Sequence, residues 1–96
     1  MERQVNGWMV DMGCIYFIRH KGTKPVKIGM TSDDVPHRRM NQMETASPWG
    51  LELVNYFKST AFVDMEKIIH KNFAEKRMNG EWFNISTEEI KEAVEH

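Results

Sequence analysis

One flank of a long predicted helix carries three residues whose side chains could act together on a charged substrate. At 100° per residue Glu66 lies about 40° around the helix from Phe62, at the border of an apolar stripe. His70 and Arg77 project from the same flank. A carboxylate beside apolar side chains loses hydration unless a cation meets it. Glu66 therefore either binds a charged ligand or pairs with Arg77 or a lysine of the preceding hairpin.

A tyrosine, a lysine and a glycine share one face of a predicted β-hairpin. The sequences GCIYFI and VKIGMT are apolar and β-rich, and turn residues separate them. With a four-residue loop over residues 20–23, Tyr16 faces Lys27 across the hairpin. Gly29 shares the face of Lys27, where it either lets a ligand approach the backbone or marks a β-bulge. Taken alone, Tyr16 fits a core aromatic whose hydroxyl is tethered to an acceptor.

Two adjacent arginines occupy the next predicted helix. Arg38 and Arg39 come directly before an apolar helix face formed by Met40 and Met43. We expect one of the two arginines to turn toward the sheet and the other toward solvent. The planar guanidinium fork donates two parallel hydrogen bonds, which suits a phosphate group.

Other common chemistries find no support in the sequence. It contains no GxSxG motif for a serine nucleophile, and neither a P-loop nor a GxGxxG motif for nucleotides. The four histidines lack the tight spacing of a zinc site. Cys14 lies inside an apolar strand, where a cysteine is usually a small buried hydrophobe rather than a nucleophile.

Length and composition limit the chain to one small domain. The 96 residues, 41% of them hydrophobic and 28% charged, can build one core but not two. We predict an N-terminal extension over residues 1–12 and a single domain over residues 13–96. The single cysteine excludes an internal disulfide and favours a reducing, cytoplasmic setting. No apolar run approaches the roughly 20 residues that span a bilayer, so we expect no membrane partner.

The near-neutral net charge of −1 hides an uneven distribution. Residues 19–43 carry six lysines and arginines against two aspartates, whereas residues 81–96 carry five glutamates against one lysine. A local basic face can hold phosphate even when the whole chain is not basic. The alternative is ordinary solvated surface charge.

The patterning predicts strands and helices in the order ββαβαβα. A helix begins after the acidic pair Asp33 and Asp34, and a later one begins at the capping box that Ser86 opens. The remaining predicted elements are strands over 13–18, 26–31, 51–58 and 81–85 and a helix over 60–77. This order predicts an α+β fold in which helices flank a small, mainly antiparallel β-sheet.

The ordered motifs resemble those of the GIY-YIG nuclease superfamily. The hairpin CIYFI…VKIGMT is followed by HRRMNQM, MEKIIHKNF and GEWFNI. These motifs are similar to the phage and bacterial branch of the superfamily in which the second tripeptide reads KIG. The resemblance runs from Gly13 to Ile85. It implies a small α+β domain that hydrolyses phosphodiester bonds of DNA with one divalent metal ion, Mg²⁺ or Mn²⁺.

The resemblance also implies roles for individual residues. Tyr16 matches the tyrosine of the first tripeptide and would help to activate the attacking water. Lys27 stands where most of the superfamily has a second tyrosine, and would either lower the pKa of Tyr16 or contact the phosphate. Arg39 best matches the arginine that steadies the phosphate, with Arg38 as the alternative. Glu66 matches the metal-binding glutamate.

The remaining predicted site residues are assigned more loosely. His70 matches a histidine that often follows the glutamate in this branch, and we predict a catalytic role for it. Asn84 matches a late asparagine of the superfamily. We predict that Asn84, Gly29, Arg77 and Arg38 contact the substrate.

Together these observations predict a metal-dependent DNA endonuclease of phage or mobile-element type. The first alternative is a catalytically inactive relative that binds nucleic acid or a protein partner through the basic hairpin face. The second is a structural or interaction protein, which would expose a large apolar patch and no convergent polar pocket.

Overall fold

In the part of the chain that the structure describes, five antiparallel strands form one sheet and three helices flank it, which confirms the predicted α+β class. The computed structural model describes residues 12–33, 35–44 and 49–95. The strands are β1 (Gly13–His20), β2 (Val26–Thr31), β3 (Leu51–Ser59), β4 (Arg77–Asn79) and β5 (Trp82–Phe83). The helices are α1 (His37–Glu44), α2 (Phe62–Asn72) and α3 (Thr87–Val94), and a 3₁₀ turn covers Ala74–Lys76.

The strands lie in the order β3-β1-β2-β5-β4, so that the first hairpin occupies the middle of the sheet. β5 pairs with β2 only at Val26 and Lys27. The part of β2 beyond Lys27 therefore has no strand on its outer side among the described residues. This open stretch of edge positions part of the candidate site described below.

The two faces of β1 build two apolar clusters because side chains alternate along a strand. Ile15 and Phe17 point to the main core, which α2 and α3 cover. Tyr16 and Ile18 point to the opposite face, where α1 packs through Met40. The main core consists of Ile15, Phe17, Val26, Ile28, Ile69, Phe83, Ile85 and Ile90. The smaller cluster consists of Tyr16, Ile18 and Leu51, with Met40, Met43, Leu53 and Tyr56 packed against it.

The hairpin register differs from the predicted one by two residues. Tyr16 pairs with Gly29, and Ile18 pairs with Lys27, so the prediction that Tyr16 faces Lys27 directly was wrong. The loop is longer than predicted because Pro25 has no backbone N–H for the ladder and pairing stops at Lys27. A shift of two residues preserves the alternation, so Tyr16, Lys27 and Gly29 still share one face.

The helix predicted over residues 60–77 ends earlier, and its last part forms an additional strand. α2 ends at Asn72, and Arg77 begins β4, which pairs with β5. Between the two strands Gly80 has a φ of +56°, a conformation that glycine adopts without steric cost. The pair Asn79 and Gly80 is therefore the turn of a hairpin rather than the end of a helix. The observed order is ββαβαββα, with one strand more than predicted.

The helix starts agree with the sequence in part. Ser86 and Glu89 form the predicted capping box of α3, with hydrogen bonds of 3.1 and 2.9 Å. α1 begins at His37, and the carbonyl oxygen of Pro36 accepts a hydrogen bond from Met40. Asp34 and residues 1–11 lie outside the described residues. In the part of the chain that the structure describes, no helix is long and apolar enough to cross a membrane.

Candidate active site

The tyrosine ring of β1 lies directly over the glycine of β2. Tyr16 and Gly29 are paired in the hairpin, and a Cβ atom built on Gly29 would lie 2.5 Å from Cζ of Tyr16, in contact with its hydroxyl. No real side chain tolerates so short a distance. The absence of a side chain at Gly29 therefore leaves room for the Tyr16 ring. Gly29 does not mark a β-bulge, which was one of the two interpretations of the sequence.

One of the two arginines reaches the tyrosine and the other does not. The Arg39 side chain donates a hydrogen bond to the Tyr16 hydroxyl, whereas Arg38 has 78% of its side chain exposed and lies 4.0 Å from the carboxylate of Asp33. Burial raises the pKa of Tyr16 above its ordinary value, and the hydrogen bond and charge of Arg39 oppose that rise. The hydroxyl is accordingly protonated at neutral pH.

Helix α2 meets the open edge of β2 through a histidine. Nε2 of His70 donates a hydrogen bond of 2.9 Å to the carbonyl oxygen of Ile28. The His70 ring also packs edge-on against Phe83, with 5.0 Å between the ring centres. Glu66 lies one turn earlier on α2, on the same flank. The apolar side of α2 packs on the face of the sheet opposite Tyr16. Because α2 is bound at the open edge of β2, the Glu66 side chain can extend past that edge toward the Tyr16 face.

The charge of Glu66 acts on the tyrosine, and the charge of the hairpin lysine acts on Glu66. Partial burial raises the pKa of the Glu66 carboxyl, and the neighbouring charge of Glu81 raises it further. His70 and Lys27 act in the opposite direction. The charges of Glu81 and Glu66 in turn add to the raised pKa of Tyr16. A half-buried carboxylate beside a second carboxylate is a site that a cation would stabilise.

Glu81 is a member of this group that the sequence reasoning did not assign. Its carboxylate lies 3.8 Å from Nζ of Lys27, and its carbonyl oxygen accepts a hydrogen bond from the N–H of Ile28. The turn before Glu81 could have indicated this position, because the dipeptide Asn-Gly is a strong sequence signal for a β-hairpin. A hairpin there places the next residue, Glu81, at the start of a strand beside β2.

Two predicted substrate-binding residues lie elsewhere. The Arg77 side chain donates a hydrogen bond of 2.6 Å to the carbonyl oxygen of Gly80, at the outer edge of the sheet. Because Arg77 is not on α2, it does not share the flank of Glu66. Asn84 is exposed and lines a shallow pocket with Arg19 and Lys24 instead.

The candidate metal ligands at this site are few, and all of them are oxygen atoms. Glu66 and Glu81 supply carboxylates, and among the described residues no group of three or more His, Cys, Asp or Glu side chains is arranged to hold a metal ion. A hard cation such as Mg²⁺ keeps several waters and binds through one or two carboxylates plus substrate phosphate. The residues present fit that mode of binding.

Of the predicted set, Tyr16, Gly29 and Lys27 share one face of the sheet, and Arg39 acts on the Tyr16 hydroxyl. The charge of Glu66 also acts on Tyr16, and His70, on the same flank of α2, holds the edge of β2. Comparison with known proteins gives one match. A family model described as the T5orf172 domain matches residues 13–96. This family is phage-associated and of the GIY-YIG-like nuclease type. No curated protein and no solved structure matches the chain.

Proposed function

Because the chain belongs to the T5orf172 domain family, we propose that it is a metal-dependent endonuclease that hydrolyses phosphodiester bonds of DNA. We also propose that the chain belongs to the branch of GIY-YIG nucleases in which lysine replaces the second tyrosine. The observation that carries it is that Arg39 of α1 and the charge of Glu66 of α2 both act on the Tyr16 hydroxyl of β1.

The positive side chains of the site suit a phosphate. Arg39 comes from α1 and Lys27 from β2, and both lie on the Tyr16 face of the sheet. Two cations that come from two elements to the same face can offset the charge that builds up on a phosphoryl group during attack. Lys27 is held by Glu81 at 3.8 Å, which keeps its ammonium group near the carboxylates until a phosphate is present.

Glu66, with Glu81 beside it, would hold the divalent ion, Mg²⁺ or Mn²⁺. When bound, such an ion supplies Lewis-acid stabilisation of phosphate oxygens and a more acidic water. The residues fit because both carboxylates are oxygen donors and because Glu66 is partly buried, with its pKa raised by that burial and by Glu81.

Tyr16 would act through its neutral hydroxyl. The side chain is 1% exposed, and Arg39 donates a hydrogen bond to its oxygen. A phosphate that draws the Arg39 guanidinium into a bidentate contact would uncover that oxygen. Because burial raises the pKa of Tyr16, the hydroxyl orients a water by hydrogen bonding and does not act as a phenolate.

A second candidate function uses the same surface without chemistry. A tyrosine that is only 1% exposed and is tethered to an arginine also fits a purely structural tyrosine. In that case the chain is a catalytically inactive module that binds nucleic acid through Arg39, Lys27 and the basic hairpin.

Nicking of supercoiled plasmid at low salt with Mg²⁺ or Mn²⁺ tests the two functions. We expect the wild-type protein to nick the plasmid, and chelator or Glu66→Gln to abolish nicking. Glu75→Gln is the matched control, since Glu75 is exposed in the turn after α2. Equal nicking by Glu66→Gln would contradict the metal assignment. Plasmid binding without any nicking would favour the inactive module.

A further inference from the structure

Three aromatic rings meet at the end of the first hairpin. The His20 and Trp82 rings are stacked, with 5.1 Å between their centres and 15° between their planes. The Trp49 ring meets His20 edge-on at 6.1 Å. His20, Trp49 and Trp82 are called the aromatic platform below. Trp49 is 64% exposed, so its ring is accessible from solvent.

The aromatic platform lies on the same face of the sheet as the candidate active site. Lys27 pairs with Trp82 on one side and with Ile18 on the other, and directly opposite residues in a sheet point to the same face. His20 follows Ile18 by two residues and also faces that way. His20 lies four positions after Tyr16, a distance of about 13 Å along β1. This distance corresponds to a few nucleotides of DNA.

A shallow pocket opens beside the stacked rings. Its volume is about 330 Å³. It is lined by His20, Thr23, Pro25, Met78, Asn79 and Trp82. Met78 is 59% exposed at its rim. An apolar pocket that is open to solvent and bordered by flat rings suits a flat aromatic ligand with a polar edge.

The hairpin that carries His20 also carries three lysines. Lys27 pairs with Trp82 in the sheet, and the turn between β1 and β2 carries Lys21 and Lys24, both exposed. Aromatic rings interleaved with lysines are the arrangement with which proteins hold single-stranded nucleic acid, because the bases stack on the rings while the lysines follow the phosphates. Charge and shape together therefore favour a nucleotide over an apolar peptide.

We propose that the aromatic platform binds an unpaired base of the DNA substrate, a few nucleotides from the bond that is cut. This inference rests on the proposed nuclease function and specifies its substrate class. Bases inside a duplex are already stacked on each other, so a protein ring can stack only on a base in a single strand, at an end or flipped out. The preferred substrate is consequently DNA with a single-stranded segment next to the scissile phosphate.

Binding of fluorescently labelled oligonucleotides, measured by anisotropy with chelator present, tests this inference without cleavage. The probes are a single strand, the same strand in a blunt duplex, and the single strand with abasic sites, which keeps the phosphates and removes the bases. The proteins are wild type, Trp49→Ala, Trp82→Leu and Ile68→Ala. Ile68 is the matched control, because it is 49% exposed on α2, which packs on the opposite face of the sheet.

We expect the wild type and Ile68→Ala to bind the single strand roughly 10-fold or more tightly than the duplex or the abasic strand. Trp82→Leu and Trp49→Ala should bind the normal and abasic strands equally. Trp49→Ala keeps the test valid if Trp82→Leu fails to fold, because Trp49 is largely exposed. Equal affinity of the wild type for the normal and abasic strands would overturn the inference.

The outcome separates this inference from the nuclease proposal. Plasmid nicking without a preference for unpaired bases would overturn only the aromatic platform. Base-dependent binding of single strands without nicking would support the aromatic platform and contradict the nuclease. Absence of both activities would contradict both.

Discussion

Nε2 of His70 lies 2.9 Å from the carbonyl oxygen of Ile28 and joins α2 to the stretch of β2 that has no outer strand among the described residues. α2 packs its apolar side on the face of the sheet opposite Tyr16. The hydrogen bond fixes the helix at the edge of the sheet, and the pKa of Glu66, one turn earlier on the same flank, responds to the charges of Glu81 and Lys27. The contact also fixes the tautomer, since a carbonyl oxygen only accepts.

We expect His70 to act on catalysis by positioning Glu66. His70→Ala leaves the Ile28 carbonyl oxygen without its partner, which should cost about 1–3 kcal/mol of unfolding free energy and raise the Mg²⁺ concentration needed for nicking. His70→Gln keeps a donor and should recover most of both. Urea unfolding and Mg²⁺ titrations of nicking measure the two effects. A His70→Gln protein that folds like wild type yet cannot nick would instead indicate a direct catalytic role.

Gly29 should not tolerate even one additional carbon. Because the Tyr16 ring fills the space above Gly29, Gly29→Ala should displace that ring, cost about 1–3 kcal/mol and abolish nicking. Combining Gly29→Ala with Tyr16→Leu should cost less than the sum of the two single substitutions, since the smaller side chain makes room. Unfolding free energies of the four proteins give this coupling. Strictly additive values would show that the two residues do not contact each other.

The two adjacent arginines should differ sharply in their effects. Arg39 contacts the Tyr16 hydroxyl, so Arg39→Ala should reduce the nicking rate by about 10²–10³-fold. Arg38 is 78% exposed, and Arg38→Ala should cost less than about tenfold through weaker attraction of DNA. Nicking rates at matched protein concentration measure both, with circular dichroism as the check on folding. A larger loss with Arg38→Ala would reverse the assignment.

Acid should destabilise α3 through one carboxylate. The hydrogen bond from Lys76 lowers the pKa of Glu89 in the folded protein, and hydrogen bonds from Ser86 lower it further. The stability contributed by Glu89 is therefore complete above its unfolded pKa of about 4.3 and is lost as the pH falls below that value. Glu89→Gln should flatten the dependence of urea-unfolding stability on pH between about 6 and 3. The control Glu92→Gln removes a charge from the same helix without touching Lys76, and an equal effect of both would contradict this origin.

For the first hairpin, the sequence correctly predicted which face of the sheet each residue lies on, but not which residue it pairs with on the other strand. The loop length was misjudged by an even number of residues, so Tyr16, Lys27 and Gly29 kept their common face while every pairing changed. Side-chain alternation depends only on parity, whereas register depends on the turn. Arg39 could not be separated from Arg38 by pattern alone, because the choice depends on how α1 packs over Tyr16.

The second hairpin was missed for a different reason. β4 has only three residues, all exposed, and their sequence RMN lacks the alternating pattern that identifies a strand. The preceding helical pattern was therefore extended to Arg77. For the same reason the position of Glu81 was not predicted. Its neighbours Lys27 and Glu66 come from distant parts of the sequence.

The short ladder of β5 has a consequence for the order in which the domain opens. β5 pairs through two residues on each side, and β4 beyond it is exposed along its whole length. Segments with few ladder hydrogen bonds open locally, so the amides of β4 and of the turn before Trp82 should exchange hydrogen with solvent before those of the central strands, although Phe83 of β5 is held in the main core. Glu81 and Trp82 belong to this segment. Substrate that engages them would slow that exchange, so the protection of these amides would report DNA binding.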